Sequence, residues 1–183
     1  MERQVFSKLL IKNNLVRVNL EELKQQMKKD SSIHKVLTTP AYELPVEYTY
    51  LLGETFPNWE DCTLLELILT SQRSLPEGCC FFSKTGSEIT GWCAYTIDID
   101  EGGKYISNLK MFSFNIFRPN VVLLRDLKSL VDTLLEDYYK VSWIAVKGNP
   151  ANKIYQKIIN DYKGTSFDLD NKIIRYVIRK KEK

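Results

Sequence analysis

The sequence contains a single histidine, His34, and this limits the chemistry that the protein can support. A Ser-His-Asp triad needs a histidine as its general base, and structural zinc sites usually combine cysteines with histidines. His34 lies in a segment without a clear pattern, where a surface or packing role is favoured over catalysis. We therefore expect neither a histidine-dependent hydrolase nor a metal site.

The sequence has four cysteines but no CxxC pair: Cys62, Cys79, Cys80 and Cys93. Cys79 and Cys80 are adjacent in an apolar run, so in a strand their side chains point to opposite faces. This usage predicts reduced thiols in a cytoplasmic protein rather than a disulfide framework or a metal site.

A strong excess of charge is also lacking, because the formal net charge is +3 over 183 residues. A dedicated nucleic-acid binder is usually far more basic, so nucleic acid is disfavoured as a partner. No apolar run reaches the length of a membrane span, and the first residues lack the apolar core of a signal peptide. With 44% hydrophobic residues, the chain is expected to fold as one globular domain in the cytoplasm.

Residues 1–58 are predicted to form a helical and irregular extension that packs on the rest of the domain. Apolar residues at helical spacing predict a short helix over 3–11. Asn19 followed by Glu22 resembles a capping box and predicts a surface helix over 20–29. Three prolines between 31 and 57 predict an irregular segment, in which a strand is left open.

Five aromatic residues near the end of this extension have two interpretations. They either form a core under a long loop, which we favour, or line a pocket for a substrate. They are Tyr42, Tyr48, Tyr50, Phe56 and Trp59.

Residues 59–183 are predicted to form the core of the domain. A leucine- and isoleucine-rich stripe predicts a helix over 59–73 that Asn58 can cap. Alternation of period two then predicts three strands over 79–84, 89–99 and 104–114. Short turns between them require an antiparallel meander.

After the meander, the pattern predicts a βαβ crossover with a further helix. The predicted elements are a helix over 120–139, a buried strand over 141–146 and a helix over 150–162. Two strands over 165–170 and 171–180 complete the chain. The fold class predicted is therefore α+β with a mixed sheet.

This order of elements resembles the GCN5-related N-acetyltransferase (GNAT) family, including its phage and mobile-element members. The best local match is GNPANKIYQK, where Ala151 and Tyr155 occupy two positions of the family's motif. Gly148 stands where the family has asparagine, and Asn149 is shifted by one. The resemblance implies an enzyme that transfers an acetyl group from acetyl-CoA to an amine of a small molecule or protein. It leaves a homodimer open.

The resemblance also implies roles for individual residues. Tyr155 matches the general acid that protonates the departing CoA thiolate, which a phenol with a pKa of about 10 can do. It implies that two neighbouring parallel strands part to admit the thioester. The residues implied to bind the cofactor are Met111, Phe112, Ser113, Phe114, Arg118, Asn120, Arg125 and Asn149.

Each of these residues also has a purely structural interpretation. Tyr155 and the segment 111–114 can belong to the core, and Arg125 can lie on a solvated helix face. Asn149 is favoured as a cap of the following helix. No residue is identified as the general base, because no acidic residue lies between Lys104 and Phe114.

The sequence departs from the family at the loop that binds the pyrophosphate. If Arg118 takes the first position of that loop, Val121 and Leu123 stand in the places of two glycines. A Cβ at these places crowds the phosphates or forces another path of the loop. This departure motivates one alternative to the transferase, a catalytically silent binding protein of this fold. The resemblance to phage members of the family implies a second alternative, a protein that modifies nucleic-acid bases.

Overall fold

The structure is a computed structural model that describes residues 15–44, 57–74, 80–114, 121–149 and 151–181. Within these ranges, the side chains of residue 85, 111–113 and 121–126 are not described. The helix predicted over 3–11 lies outside the described residues.

The described elements alternate in the order that the sequence predicts from residue 80 onward. The strands are β1 (Leu15–Arg17), β2 (Cys80–Thr85), β3 (Glu88–Asp100), β4 (Gly103–Ser113), β5 (Lys140–Val146), β6 (Thr165–Asp168) and β7 (Ile173–Arg179). The helices are α1 (Leu20–Lys29), α2 (Ser31–Thr38), α3 (Leu64–Ser74), α4 (Val121–Asp137) and α5 (Asn152–Tyr162). Two short 3-10 helices cover Ala41–Glu43 and Trp59–Asp61.

The strands form one mixed sheet of seven strands in the order β1-β2-β3-β4-β5-β7-β6. β2 and β3 are antiparallel, β4 and β5 are parallel, and β7 runs antiparallel to both β5 and β6. Insertion of β7 between β5 and β6 makes the C-terminal end of the sheet antiparallel. The predicted α+β class with a mixed sheet is confirmed.

The chain divides into two compact units. The N-terminal unit holds the described residues from 15 to 94 together with 111–114, and the C-terminal unit holds 95–110 and the described residues from 121 onward. β3 and β4 contribute residues to both units. The predicted boundary after residue 58 stays a prediction.

The N-terminal unit has its own apolar core beneath α1, α2 and α3. Its fully buried members include Leu23 of α1, Leu37 of α2, Leu67 of α3 and Phe82 of β2. α1 has the predicted bounds, and the Asn19 side chain accepts a hydrogen bond from the Glu22 amide at 3.2 Å. The predicted cap is therefore confirmed.

The irregular segment predicted over 31–57 is wrong at its start, where α2 forms. The Asp30 carboxylate accepts from the Ser32 amide at 3.0 Å and so caps the helix. Ile33, Val36 and Leu37 then bury one face. Thr39 is extended because a residue before proline is driven out of the helical region, and the helix ends there.

Three further features of this unit differ from what the sequence predicts. β1 was not predicted, because its three residues are too few to show alternation. Asn58 makes no capping hydrogen bond, and the Thr63 hydroxyl accepts from the Glu66 amide at 3.2 Å at the start of α3 instead. Tyr42 is 60% exposed and does not belong to a core.

In the C-terminal unit, α4 and α5 lie side by side on one face of the sheet. The Tyr162 hydroxyl, at the end of α5, donates to the Lys128 carbonyl of α4 at 3.3 Å. Lys128 also pairs with Asp161 at 2.5 Å. Among the described residues, no helix is long and apolar enough to cross a membrane.

Candidate active site at the opening between two parallel strands

The two parallel strands β4 and β5 meet at one position and then separate. Their described register contains the single pair Ile106 and Val141. On its other side, β5 is paired with β7 along its whole length, from Lys140 to Val146. The residues of β5 beyond Val141 therefore have their ladder on one side only. The predicted parting of two parallel strands is observed here.

Such an opening exposes backbone donors and acceptors that a ligand can use. Parallel strands that part leave N–H and C=O groups without a ladder partner, and buried groups of this kind need one. An extended ligand can supply it as an added strand does at a sheet edge. The opening between β4 and β5 is accordingly the candidate site.

Two buried polar atoms stand just beyond the paired position. Asn108 and Trp143 follow Ile106 and Val141 by two residues, so all four side chains lie on the same face of the sheet. The Asn108 Oδ1 acceptor and the Trp143 Nε1 donor are buried and have no hydrogen-bond partner in the described structure. A buried unpaired polar atom is costly and calls for a ligand or a water.

Tyr155 lies on this same face, on the inner side of α5. Its ring meets Trp143 edge-on at 5.7 Å and Tyr176 at 5.4 Å, and Trp143 stacks on Tyr176 at 5.5 Å. All three side chains are at most 8% exposed. The three rings brace α5 against β5 and β7, which fixes the place of the Tyr155 phenol. The general-acid role of Tyr155 stays a prediction.

The turn from β5 into α5 is held by two asparagines. The Asn149 side chain accepts from the Ala151 amide at 2.9 Å and so holds the turn before α5. The N-cap of α5 is Ala151, without a side-chain capping hydrogen bond, so Asn149 does not cap this helix as favoured. Asn152, which the sequence analysis did not identify, donates to the carbonyls of Val146 at 2.7 Å and Lys147 at 2.9 Å. Tyr176 donates its hydroxyl to Asn152 Oδ1 at 2.9 Å. Burial raises the pKa of Tyr176, which keeps the phenol protonated as a donor.

The opposite face of the sheet carries a polar cluster that the sequence analysis also missed. Ser107 and Thr96 share a hydroxyl hydrogen bond of 2.6 Å between β4 and β3. Arg175 of β7 donates from Nη1 to the Ser142 hydroxyl at 2.7 Å and to the Ser107 carbonyl at 3.4 Å. A charged residue inside the apolar strand IIRYVIR was the available signal.

The other residues predicted to bind a cofactor are brought into the site only in part. Met111, Phe112 and Ser113 end β4 in the N-terminal unit. Phe114 is 3% exposed, and its amide donates to the Thr90 carbonyl at 2.9 Å. Its core interpretation is thus supported.

The segment predicted to bind pyrophosphate lies largely outside the described residues. Arg118 and Asn120 lie outside the described residues. Arg125 lies in α4, but its side chain is not described.

Asp100, at the turn between β3 and β4, is a poor candidate for the general base. Asp100 accepts hydrogen bonds from the Tyr139 hydroxyl, from Lys140 Nζ at 3.1 Å and from the Gly102 amide at 2.8 Å. The Tyr139 hydrogen bond, followed by the contact with Lys140, lowers the pKa of Asp100. A carboxylate held in its ionised form by these donors braces the β3–β4 turn and is a poor proton acceptor. His34 is exposed on α2.

No protein-family model and no curated protein matches the sequence. Solved structures match it over most of the chain. RimL, a ribosomal L7/L12 alpha-N-protein acetyltransferase in complex with coenzyme A, has a TM-score of 0.56 and 12% identity over 90% of this chain and 92% of its own. The chain has the GNAT acetyltransferase fold.

Two further structures support the same fold. The ribosomal-protein-alanine N-acetyltransferase of Brucella melitensis has a TM-score of 0.52 and 9% identity, covering 90% of this chain and 98% of its own. The structure of yncA from Salmonella typhimurium, with acetyl-CoA, has a TM-score of 0.53 and 9% identity, covering 92% and 94%. At identities of 9–12%, the likeness to these structures establishes the fold alone.

Proposed function

We propose that this protein is an N-acetyltransferase that uses acetyl-CoA and an amine acceptor. The observation that carries the proposal is the single paired position, Ile106 with Val141, between two otherwise separate parallel strands. An opening of this kind admits an extended thioester beside the exposed backbone of both strands. That two proteins of the same fold were solved with CoA or acetyl-CoA supports the same ligand.

The residues at the opening fit the arm of CoA, which is an extended chain with two amides. An amide offers one donor and one acceptor, the complement of the Asn108 Oδ1 acceptor and the Trp143 Nε1 donor. We assign these two atoms to that arm. The backbone segment 111–114, Arg118, Asn120 and Arg125 stay in the proposal as its further contacts.

The transfer balances without any other reactant. The amine nitrogen bonds to the acetyl carbon, the carbon–sulfur bond breaks, and the proton that the amine loses is matched by one gained at sulfur. A backbone N–H of β4 would polarise the thioester carbonyl. Tyr155, held by Trp143 and Tyr176, would donate the proton to the thiolate.

Calorimetric titration with acetyl-CoA tests the binding step. We expect one saturable site per chain. No binding and no thermal shift at millimolar acetyl-CoA would instead favour the catalytically silent alternative, which Val121 and Leu123 at the loop motivate. Tight binding of nucleic acid with a steep dependence on salt would favour the base-modifying alternative.

Tyr155→Phe tests the chemical step. The substitution keeps the ring contacts to Trp143 and Tyr176, so acetyl-CoA affinity should change less than about threefold while turnover falls about a hundredfold or more. Tyr162→Phe is the matched control on the same helix, because its hydroxyl contacts α4. It should leave turnover unchanged. Equal turnover in Tyr155→Phe and the wild type would remove Tyr155 from the mechanism.

A further inference from the structure

Arg175 places a positive charge at the point where β4 and β5 separate. Its two acceptors, the Ser107 carbonyl and the Ser142 hydroxyl, belong to the residues that directly follow the paired Ile106 and Val141. The guanidinium therefore reaches from β7 past β5 to β4. It lies at the closed end of the proposed acetyl site.

This charge lies on the face of the sheet opposite α4 and α5. Trp143 and Tyr176 are partners in register and contact Tyr155 of α5. Arg175 and Ser142 occupy the alternate positions of the same strands, so they point to the other face. In the described part of the C-terminal unit, both helices lie on the Tyr155 face. Arg175 itself is partly exposed, so a second reactant can reach it on the face opposite Tyr155.

The partners of Arg175 are neutral. Both hydrogen bonds come from Nη1, and among the described residues no carboxylate pairs with the guanidinium. Arg175 is partly buried, and Ser142 is only 3% exposed. A partly desolvated charge is costly unless an opposite charge compensates it. The planar guanidinium, with five N–H donors, is well suited to bind a carboxylate through two parallel hydrogen bonds.

The neighbour of Arg175 on β6 adds an apolar surface. Phe167 is its partner in register and is 48% exposed. A short aliphatic chain can lie against this ring while a carboxylate at one end meets Arg175.

We propose that Arg175 binds a carboxylate of the acceptor, so that the substrate is an amine that also carries a carboxylate. This inference rests on the proposed acetyl transfer for the amine end of the substrate. The carboxylate end rests on Arg175, Ser107 and Ser142 alone. Arg175 is the binding residue, and Ser142 positions its guanidinium.

A binding experiment tests the carboxylate end without acetyl-CoA. The probes are N-acetylated β-alanine, 4-aminobutyrate and 6-aminohexanoate, each compared by calorimetry with its neutral amide. For at least one length, we expect the wild type to bind the carboxylate about tenfold or more tightly than the amide. Arg175→Gln should bring the ratio to about one.

Two variants separate this role from a merely structural one. Arg179→Gln, the same change at an exposed position of the same strand, should keep the full preference for the carboxylate. Arg175→Lys keeps the positive charge but not the planar guanidinium that can donate two parallel hydrogen bonds, so part of the preference for the carboxylate should remain. A wild-type ratio of one at every length, no saturable binding of any probe, or a ratio that survives Arg175→Gln would overturn the inference.

A turnover experiment separates this inference from the proposed function. The free amines of the same acids and amides are offered with acetyl-CoA, and thiol release is measured. Turnover without a preference for the carboxylate refutes the role of Arg175 and leaves the transferase in place. Arg175-dependent binding of the carboxylate without any turnover on these amines, together with no binding of acetyl-CoA, refutes the transferase and leaves the anion site.

Discussion

Replacement of Asn152 by alanine should loosen the turn between β5 and α5, which leads from the opening to the helix of Tyr155. Asn152 makes three hydrogen bonds there: to the Val146 and Lys147 carbonyls and from the Tyr176 hydroxyl. Alanine removes all three. It leaves the Tyr176 phenol, in a residue that is 1% exposed, without this acceptor.

The magnitude follows from the bonds that are lost. A typical hydrogen bond contributes about 1 kcal/mol net, and leaving a buried partner unsatisfied costs about 1–3 kcal/mol. The better helix propensity of alanine offsets roughly 0.5 kcal/mol. Two lost bonds to carbonyls, an unsatisfied Tyr176 phenol and this offset together predict that Asn152→Ala lowers the free energy of unfolding by about 2.5–4.5 kcal/mol. Tyr176→Phe removes only one bond and should cost about 1 kcal/mol.

Urea denaturation of the two single variants and the double variant measures the coupling between these residues. The double variant should be more stable than the sum of the single losses predicts, by about 1 kcal/mol, because both single changes break the same bond. Gln156→Ala, at an exposed position of the same helix, is the control and should change stability by less than about 0.5 kcal/mol. A coupling energy near zero, or a loss in Asn152→Ala no greater than in the control, would refute the reasoning.

Two further predictions concern the same unit. In Gly164→Ala, the new Cβ would lie 2.6 Å from the Val177 carbonyl oxygen, so the backbone must shift and stability should fall by about 1–3 kcal/mol. In Gly148→Ala, the new Cβ meets no atom within 4 Å, so the free energy of unfolding should stay unchanged or rise by up to about 1 kcal/mol. Equal urea midpoints for the Gly164→Ala and Gly148→Ala variants would contradict this explanation. Burial, followed by the hydrogen bond to Asp132, raises the pKa of the Tyr162 phenol above its ordinary value of 10.0. The protonated Tyr162 phenol therefore contributes its full stabilisation below about pH 10, the pKa of an unfolded tyrosine. This stabilisation is lost as the pH rises toward the higher pKa of Tyr162 in the folded protein. Between about pH 9 and 11 the wild type should lose stability more steeply than Tyr162→Phe, and parallel curves would contradict the assignment.

Local patterns predicted the elements from residue 80 onward because each has a clear period and clear ends. β5 is a continuous apolar run, and α5 follows a turn with Gly148 and Asn149. α2 was missed because three prolines downstream dominated the interpretation of the segment. The Asp30 cap and the buried spacing from Ile33 to Leu37 were nevertheless visible in the sequence.

The site was harder to predict, since its contacts join residues that are distant in the sequence. Arg175 and Ser107 are 68 residues apart, and Arg175 reaches Ser107 only because β7 is inserted next to β5. No local sequence pattern indicates the pairing of β7 with β5. The position of Tyr155 on the inner face of α5 was predictable from helical periodicity. Its two aromatic neighbours depend on the pairing of β5 with β7.

An opening between strands needs support, because two parallel strands that part give up the ladder that would hold them. In this protein, side chains from both faces take over that role at the point of separation. On one face, the rings of Trp143, Tyr155 and Tyr176 hold β5 to β7 and α5. On the other, Arg175 joins β7, β5 and β4 through hydrogen bonds to neutral groups. Since a charge bound to neutral groups still favours an anion, the brace that supports the opening on that face is also its best candidate for recognising the acceptor.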